Sequence, residues 1–88
     1  MISKPLTVLY FAWLREKTAF TYEEIPLPDG VATVADLMDH LSARSAGHVQ
    51  AFLNRKVVRC AVNQEFVHSS FVVQPGDEVA FFPPITGG

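Results

Sequence analysis

The chain has 88 residues, 49% of them apolar, with seven Lys and Arg against nine Asp and Glu, and one cysteine. This is the size of one domain with one core and little room for an enclosed active site. The scattered charges form no basic stripe for nucleic acid, and a lone cysteine can neither close an internal disulfide nor hold a metal without partners. The expected setting is reducing and cytoplasmic, with no metal, no nucleic acid and no membrane involved. The apolar run "LTVLYFAWL" is interrupted by Thr7 and followed at once by "REK". It falls far below the ~20 residues of a spanning helix.

In chain order, Leu6–Phe11 is apolar, β-branched or aromatic and predicts a buried strand. "AWLREKTA" is a connector with room for a helical turn. "FTYEEIPL" sets Phe20, Tyr22 and, less regularly, Ile25 among polar residues, which predicts a half-exposed second strand. "PDG" at Pro28–Gly30 is a turn signal. Thr33 is a good N-cap with Asp36 three residues on, an aspartate form of the capping box. Val34, Leu37, Met38 and Leu41 then fall on one helical stripe, and Gly47 is placed to end that helix. "HVQAFLN" predicts a short second helical piece. "KVVRCAVN" reads as a third strand and "FVHSSFVV" as a short fourth with its loop. "QPGDE" is a turn around Pro75 and Gly76, and "EVAFF" is the last strand.

This order implies an α+β fold: a mixed sheet of four to five strands with one main helix across one face. Residues 1–82 are expected to form the domain and 83–88 an extended tail. In the last strand Val79 and Phe81 point one way and Ala80 and Phe82 the other. One set meets the helix, so Phe82 is a candidate for a partner-facing patch.

Active-site parts are missing. His40, His48 and His68 show no matching spacing and are expected at the surface. No HExxH, phosphate loop or nucleophile elbow is present. Asp36 and Asp39 serve capping and solvation, and Cys60 is expected to be a small buried thiol.

The tail is the unusual feature. No charged side chain occurs from Val79 to Gly88. Pro83 and Pro84 lack N–H groups and have a fixed φ, so they end the sheet and hold the chain extended. Six residues from Pro83 to Gly88 span roughly 20 Å. Gly87 and Gly88 need only a channel as wide as a backbone. A terminal carboxylate is ionised and a poor electrophile, and becomes reactive only after activation, for instance as a mixed anhydride with AMP. This constellation points to delivery of the terminus into a partner.

"GDEVAFFPPITGG" at Gly76–Gly88, "AVNQ" at Ala61–Gln64 and "LYFAWLRE" at Leu9–Glu16 give the whole chain a resemblance to the small, sulfur-carrying subunits of molybdopterin synthase, a ubiquitin-like family. The resemblance implies a β-grasp fold and a chain that is not catalytic alone. It also implies a reaction cycle. A ubiquitin-activating-type enzyme uses ATP to adenylate Gly88, and a sulfur donor protein converts it to a thiocarboxylate. The tail then enters the large synthase subunit and gives its sulfur to cyclic pyranopterin monophosphate, in a heterotetramer. No cofactor is expected to be bound by the chain itself.

By the same resemblance Gly88 carries the sulfur and Gly87 is the slim step behind it. Pro83, Pro84, Ile85 and Thr86 thread the partner, Phe82 and Phe66 lie against it, and Arg15 has a docking role. The segments "EFVHSS" to "VVQ" and the region around Lys56 follow the family loosely. Rival readings are a sulfur carrier of the thiamine type, a ubiquitin-like protein modifier joined to lysines through Gly88, and a β-grasp interaction domain with an idle terminus.

Overall fold

A computed structural model describes residues 4–84 of the chain. Alternation along the strands sets its layers. In β1 (Leu6–Tyr10) Leu6, Val8 and Tyr10 are buried while Thr7 and Leu9 face the other way, as a pleated strand covered on one side requires. α1 (Trp13–Thr18) follows, then β2 (Tyr22–Ile25), α2 (Val34–Ser42) and α3 (Ala46–Ala51). A 3₁₀ turn at Arg55–Val57 leads into β3 (Arg59–Val62), β4 (Glu65–Val67) and β5 (Glu78–Phe82).

The sheet has five strands in the order β2-β1-β5-β3-β4. Its central β1 and β5 run parallel and the remaining neighbours antiparallel. This is the expected mixed α+β layout. The helices contribute to one core with the inward residues of the strands, which include Val8, Val62, Val79 and Phe81. The opposite face of the sheet carries no helix among the described residues.

The stripe of Val34, Leu37, Met38 and Leu41 is buried as its spacing predicts. Its start is a full capping box. The Thr33 hydroxyl accepts from the Asp36 N–H, and the Asp36 carboxylate accepts from the N–H groups of Thr33 and Ala32. Such caps stabilise a helix by about 1 kcal/mol.

Several expectations are corrected. Gly47 does not end α2, which stops at Ser42 with Ala43 as its cap. It lies inside α3, where a Cβ would sit 2.0 Å from the Lys17 carbonyl oxygen. The glycine is there because the backbone of α1 passes against it. The connector "AWLREKTA" is a true helix of six residues closed by Ala19 in the left-handed region, φ 67°. Only the second half of "KVVRCAVN" is strand, since Arg55–Val57 winds into the 3₁₀ turn. Phe11 lies beyond β1 and is exposed rather than buried. Phe20 likewise precedes β2, and within that strand Glu23, not Tyr22, shares the inward face with Ile25.

His48 is the largest departure. It is fully buried rather than at the surface. Its ring closes an interior polar group with Glu23, Tyr10, Arg44 and Ser45.

Candidate functional site: the open sheet face and the root of the tail

The helix-free face is not uniformly polar. Strand register places Tyr22, Leu9, Ala80, Ala61 and Phe66 side by side on all five strands, through the pairs Leu9–Tyr22, Leu9–Ala80, Ala61–Ala80 and Ala61–Phe66. Toward the C-terminal end of β5 come Phe82, opposite Arg59, and Phe11, whose N–H reaches the Phe81 carbonyl. Toward the other end the face turns polar, with Thr7 between Glu24 and Glu78. The apolar half is therefore the half from which the tail departs.

Two local features aim this patch. Asn63 and Gln64 both adopt positive φ, 51° and 70°, the tight two-residue hairpin that matches strand twist. The turn is held by Asn63, whose side chain donates to Asp77 and accepts from the Glu78 N–H. It returns β4 directly beside β3 and sets Phe66 against Phe82, their ring centroids 5.6 Å apart. At the far end of β5's approach, Gly76 at φ 89° makes the turn that only glycine takes without strain. The Asp77 N–H then closes back onto Gln74.

Phe66 is 77% exposed, Tyr22 55% and Phe11 47%. With Ala61, Gln64, Ala80, Phe82 and Pro83, Phe11 and Phe66 line an open depression of about 420 Å³. Contiguous apolar surface of this kind is a candidate contact for another molecule. A second depression, lined by Arg59, Cys60, Phe66, Val67, Phe82 and Pro84, flanks the first proline steps of the tail.

The structure thus brings Phe66, Phe82, Pro83 and Pro84 together at one edge. Arg15 lies on α1, exposed and without an ion pair among the described residues. Ile85, Thr86, Gly87 and Gly88 lie outside the described residues. Reading the sequence set Ala80 on the face of Phe82 but missed Leu9, Phe11, Tyr22 and Ala61 as members of this surface. The signal available was period two in "TVLYF", which puts Thr7, Leu9 and Phe11 on one face.

Cys60 is buried and its thiol donates to the Val67 carbonyl at 3.3 Å. Burial pushes its pKa up, so it stays a protonated, poorly nucleophilic thiol. Among the described residues no group of three His, Cys, Asp or Glu could hold a metal, and no helix is long and apolar enough to cross a membrane.

A family model described as the ThiS family matches residues 8–88. The chain belongs to the ThiS family. Within it, the chain is 39% identical over 83 residues to the molybdopterin synthase sulfur carrier subunit of Escherichia coli, covering 94% of this chain and 99% of that protein. Among solved structures it is similar to a putative molybdopterin converting factor subunit 1 of Pyrococcus furiosus, at 33% identity and a TM-score of 0.75, over 94% and 100% of the two chains. The small archaeal modifier protein 1 of Haloferax volcanii is also similar, at 26% identity and a TM-score of 0.72, over 93% and 99%. This ThiS-family chain is a sulfur carrier of the molybdopterin synthase type, and its β-grasp sheet is the ubiquitin-like one. Its part is that of a carrier, not of a catalyst.

Proposed function

We propose that the chain carries sulfur as a thiocarboxylate on Gly88 and delivers it to the large subunit of molybdopterin synthase. A carboxylate oxygen of Gly88 attacks the α-phosphate of ATP on a ubiquitin-activating-type enzyme, and pyrophosphate leaves. Hydrosulfide supplied by a donor protein then attacks the acyl carbon, and AMP leaves. The thiocarboxylate sulfur is finally transferred to cyclic pyranopterin monophosphate, and water restores the carboxylate. Gly87, Thr86, Ile85, Pro84 and Pro83 thread the partner, while Phe82, Phe66 and Arg15 dock against it. ATP belongs to the activating enzyme, and the chain itself binds no cofactor in this scheme.

The observation that carries this reading is the junction of the apolar half-face with the proline exit at Phe82–Pro84. A partner that covers the apolar surface stands where it can accept the tail.

The test is the intact mass of the protein after incubation with ATP, a sulfide source and the activating enzyme. A fraction heavier by one oxygen-to-sulfur exchange, mapped to the C-terminal peptide and lost on deleting Gly87–Gly88, is expected. An unmodified mass, or full molybdopterin production by the truncated protein, overturns the reading. The likeness to an archaeal modifier protein favours one second reading, attachment through Gly88 to lysines of other proteins. Isopeptide-linked conjugates in cell extracts would support it.

A further inference from the structure

Many exposed charges of the described residues are sorted along the strand axis. The C-terminal end of β5 lies beside the end of β1 and the start of β3, through the pairs Tyr10–Phe81 and Arg59–Phe82. α1 connects β1 to β2 at this same end, because Leu9 pairs with Tyr22 and the Tyr10 N–H reaches the Thr21 carbonyl. The root of the tail is therefore flanked by Arg15 and Lys17 on one side and by Arg55, Lys56 and Arg59 on the other, with Glu16 and Asp39, the partner of Arg55, as exposed carboxylates among them. At the opposite end stand Glu24, Glu65, Asp77 and Glu78, placed there by the pairs Thr7–Glu24, Thr7–Glu78 and Val62–Glu65, with Lys4 beside Gly76 as the exception.

The tail-end cations are mostly unspent inside the molecule. Arg55 pairs with Asp39, but Arg59 is held only by backbone, with Nη1 donating to the Lys56 carbonyl at 2.7 Å. Lys56, Arg59, Arg15 and Lys17 make no ion pair among the described residues. Arg59 also lines the depressions beside Pro84 and, on the helix side, beside Met38 and His68. A net charge of −2 thus hides a molecule with a basic end and an acidic end. The basic end is continuous with the apolar half-face.

We propose that this polarity orients the carrier tail-first onto its activating enzyme, and that the entrance of that enzyme bears an acidic rim facing Arg55, Lys56 and Arg59. The inference rests on the activation step proposed above and adds the charge pattern that selects the partner. An entrance that receives Gly88 must cover the root of the tail, and so must cover Arg59. Charge pairs at such a rim act mainly on encounter, raising association by ~10-fold or more at low salt and fading as the Debye length shrinks. The opposite end would be repelled by the same rim, which penalises the wrong approach.

The test is ATP–pyrophosphate exchange by the activating enzyme with the full-length carrier as variable substrate, at about 0.02 M and about 0.5 M salt. The triple variant Arg55→Glu, Lys56→Glu, Arg59→Glu should raise KM for the carrier by ~10-fold or more at low salt, with the loss on KM rather than kcat. At high salt the gap should close to about twofold. The neutral pair Lys56→Gln, Arg59→Gln, which places no new charge, should fall between and guards against misfolding of the triple variant. Wild-type KM in both variants at low salt, or a loss that ignores salt, overturns the inference while leaving adenylation intact. No exchange with the wild-type carrier would instead remove the activation step, and this inference with it.

Discussion

Glu23 Oε2 stands 2.8 Å from His48 Nε2 across a buried contact between β2 and α3. The same oxygen accepts from the Tyr10 hydroxyl at 2.8 Å, and Arg44 reaches Oε1 at 2.9 Å. An ionised carboxylate only accepts, so His48 must donate from Nε2 and turn Nδ1 to the Ser45 hydroxyl, 2.7 Å away. One carboxylate thus ties β1, β2, α3 and the connection after α2 together. Burial alone would push the Glu23 carboxyl up, but the hydrogen bonds from His48 and Tyr10 and the Arg44 charge outweigh it and hold it below its ordinary value. Tyr10 is driven strongly the other way, by burial first and by Glu23 second.

Replacing Glu23 should therefore be costly. Glu23→Gln keeps the volume but turns an amide toward three donors, and a loss of about 3 kcal/mol in urea unfolding is expected. A second outcome concerns acid. A carboxylate held below its unfolded value contributes stability that is fully present above the ordinary carboxylate range and lost as pH falls through the folded value. Stability of the wild type should drop across that acid window, and the slope should be shallower in Glu23→Gln. Asp36, lowered by the N–H groups of Ala32 and Thr33, accounts for part of what slope remains. Equal slopes in the two proteins would remove Glu23 from this role.

Gly47→Ala tests the close approach of α1 and α3. A methyl group there meets the Lys17 carbonyl at 2.0 Å, and backbone cannot swing aside as a flexible side chain can. The two helices must separate, and overpacking of this kind costs about 1–3 kcal/mol. The helix preference of alanine over glycine acts in the opposite direction, by about 1 kcal/mol. A net destabilisation measured by urea unfolding is expected, and a stabilised Gly47→Ala protein would show that the contact relaxes freely.

Residues whose partners are near in sequence were legible; those whose partners are distant were not. The Thr33–Asp36 cap, the Val34–Leu41 stripe and the Gln74–Asp77 turn each close within a few residues, so pattern and propensity suffice. Gly47 looked like a helix stop because the reason for it, the Lys17 carbonyl, lies in another helix. His48 looked like a surface residue because Glu23 is 25 positions away. The same division runs through the candidate site. The outward aim of Phe82 follows from strand alternation, and the proline exit from residue chemistry. The apolar row from Tyr22 to Phe66 needs the order β2-β1-β5-β3-β4, which no local window contains.

The Phe66–Phe82 pair separates binding from folding. Phe66 is 77% exposed, so Phe66→Ala removes little from the core, and the thermal midpoint should stay within a few degrees. Phe82 is partly covered, with its neighbour Phe81 fully inside. Phe82→Asp places a carboxylate on the surface that the proposed partner would dry, beside the tail it would admit. Burying that charge without a counter-ion is expensive, and Arg59, opposite it in register, is a cation placed to soften the effect. Binding to the large synthase subunit should weaken by about tenfold in Phe66→Ala, as for a truncated aromatic anchor, and by about a hundredfold or more in Phe82→Asp. Isothermal titration calorimetry of the two variants, with circular dichroism as the fold control, reads both. Wild-type affinity in Phe82→Asp would take that side chain out of the interface. In the double variant Phe82→Asp, Arg59→Gln, losing the nearby cation should deepen the loss. An affinity recovered in that variant would mean that Arg59 opposes docking.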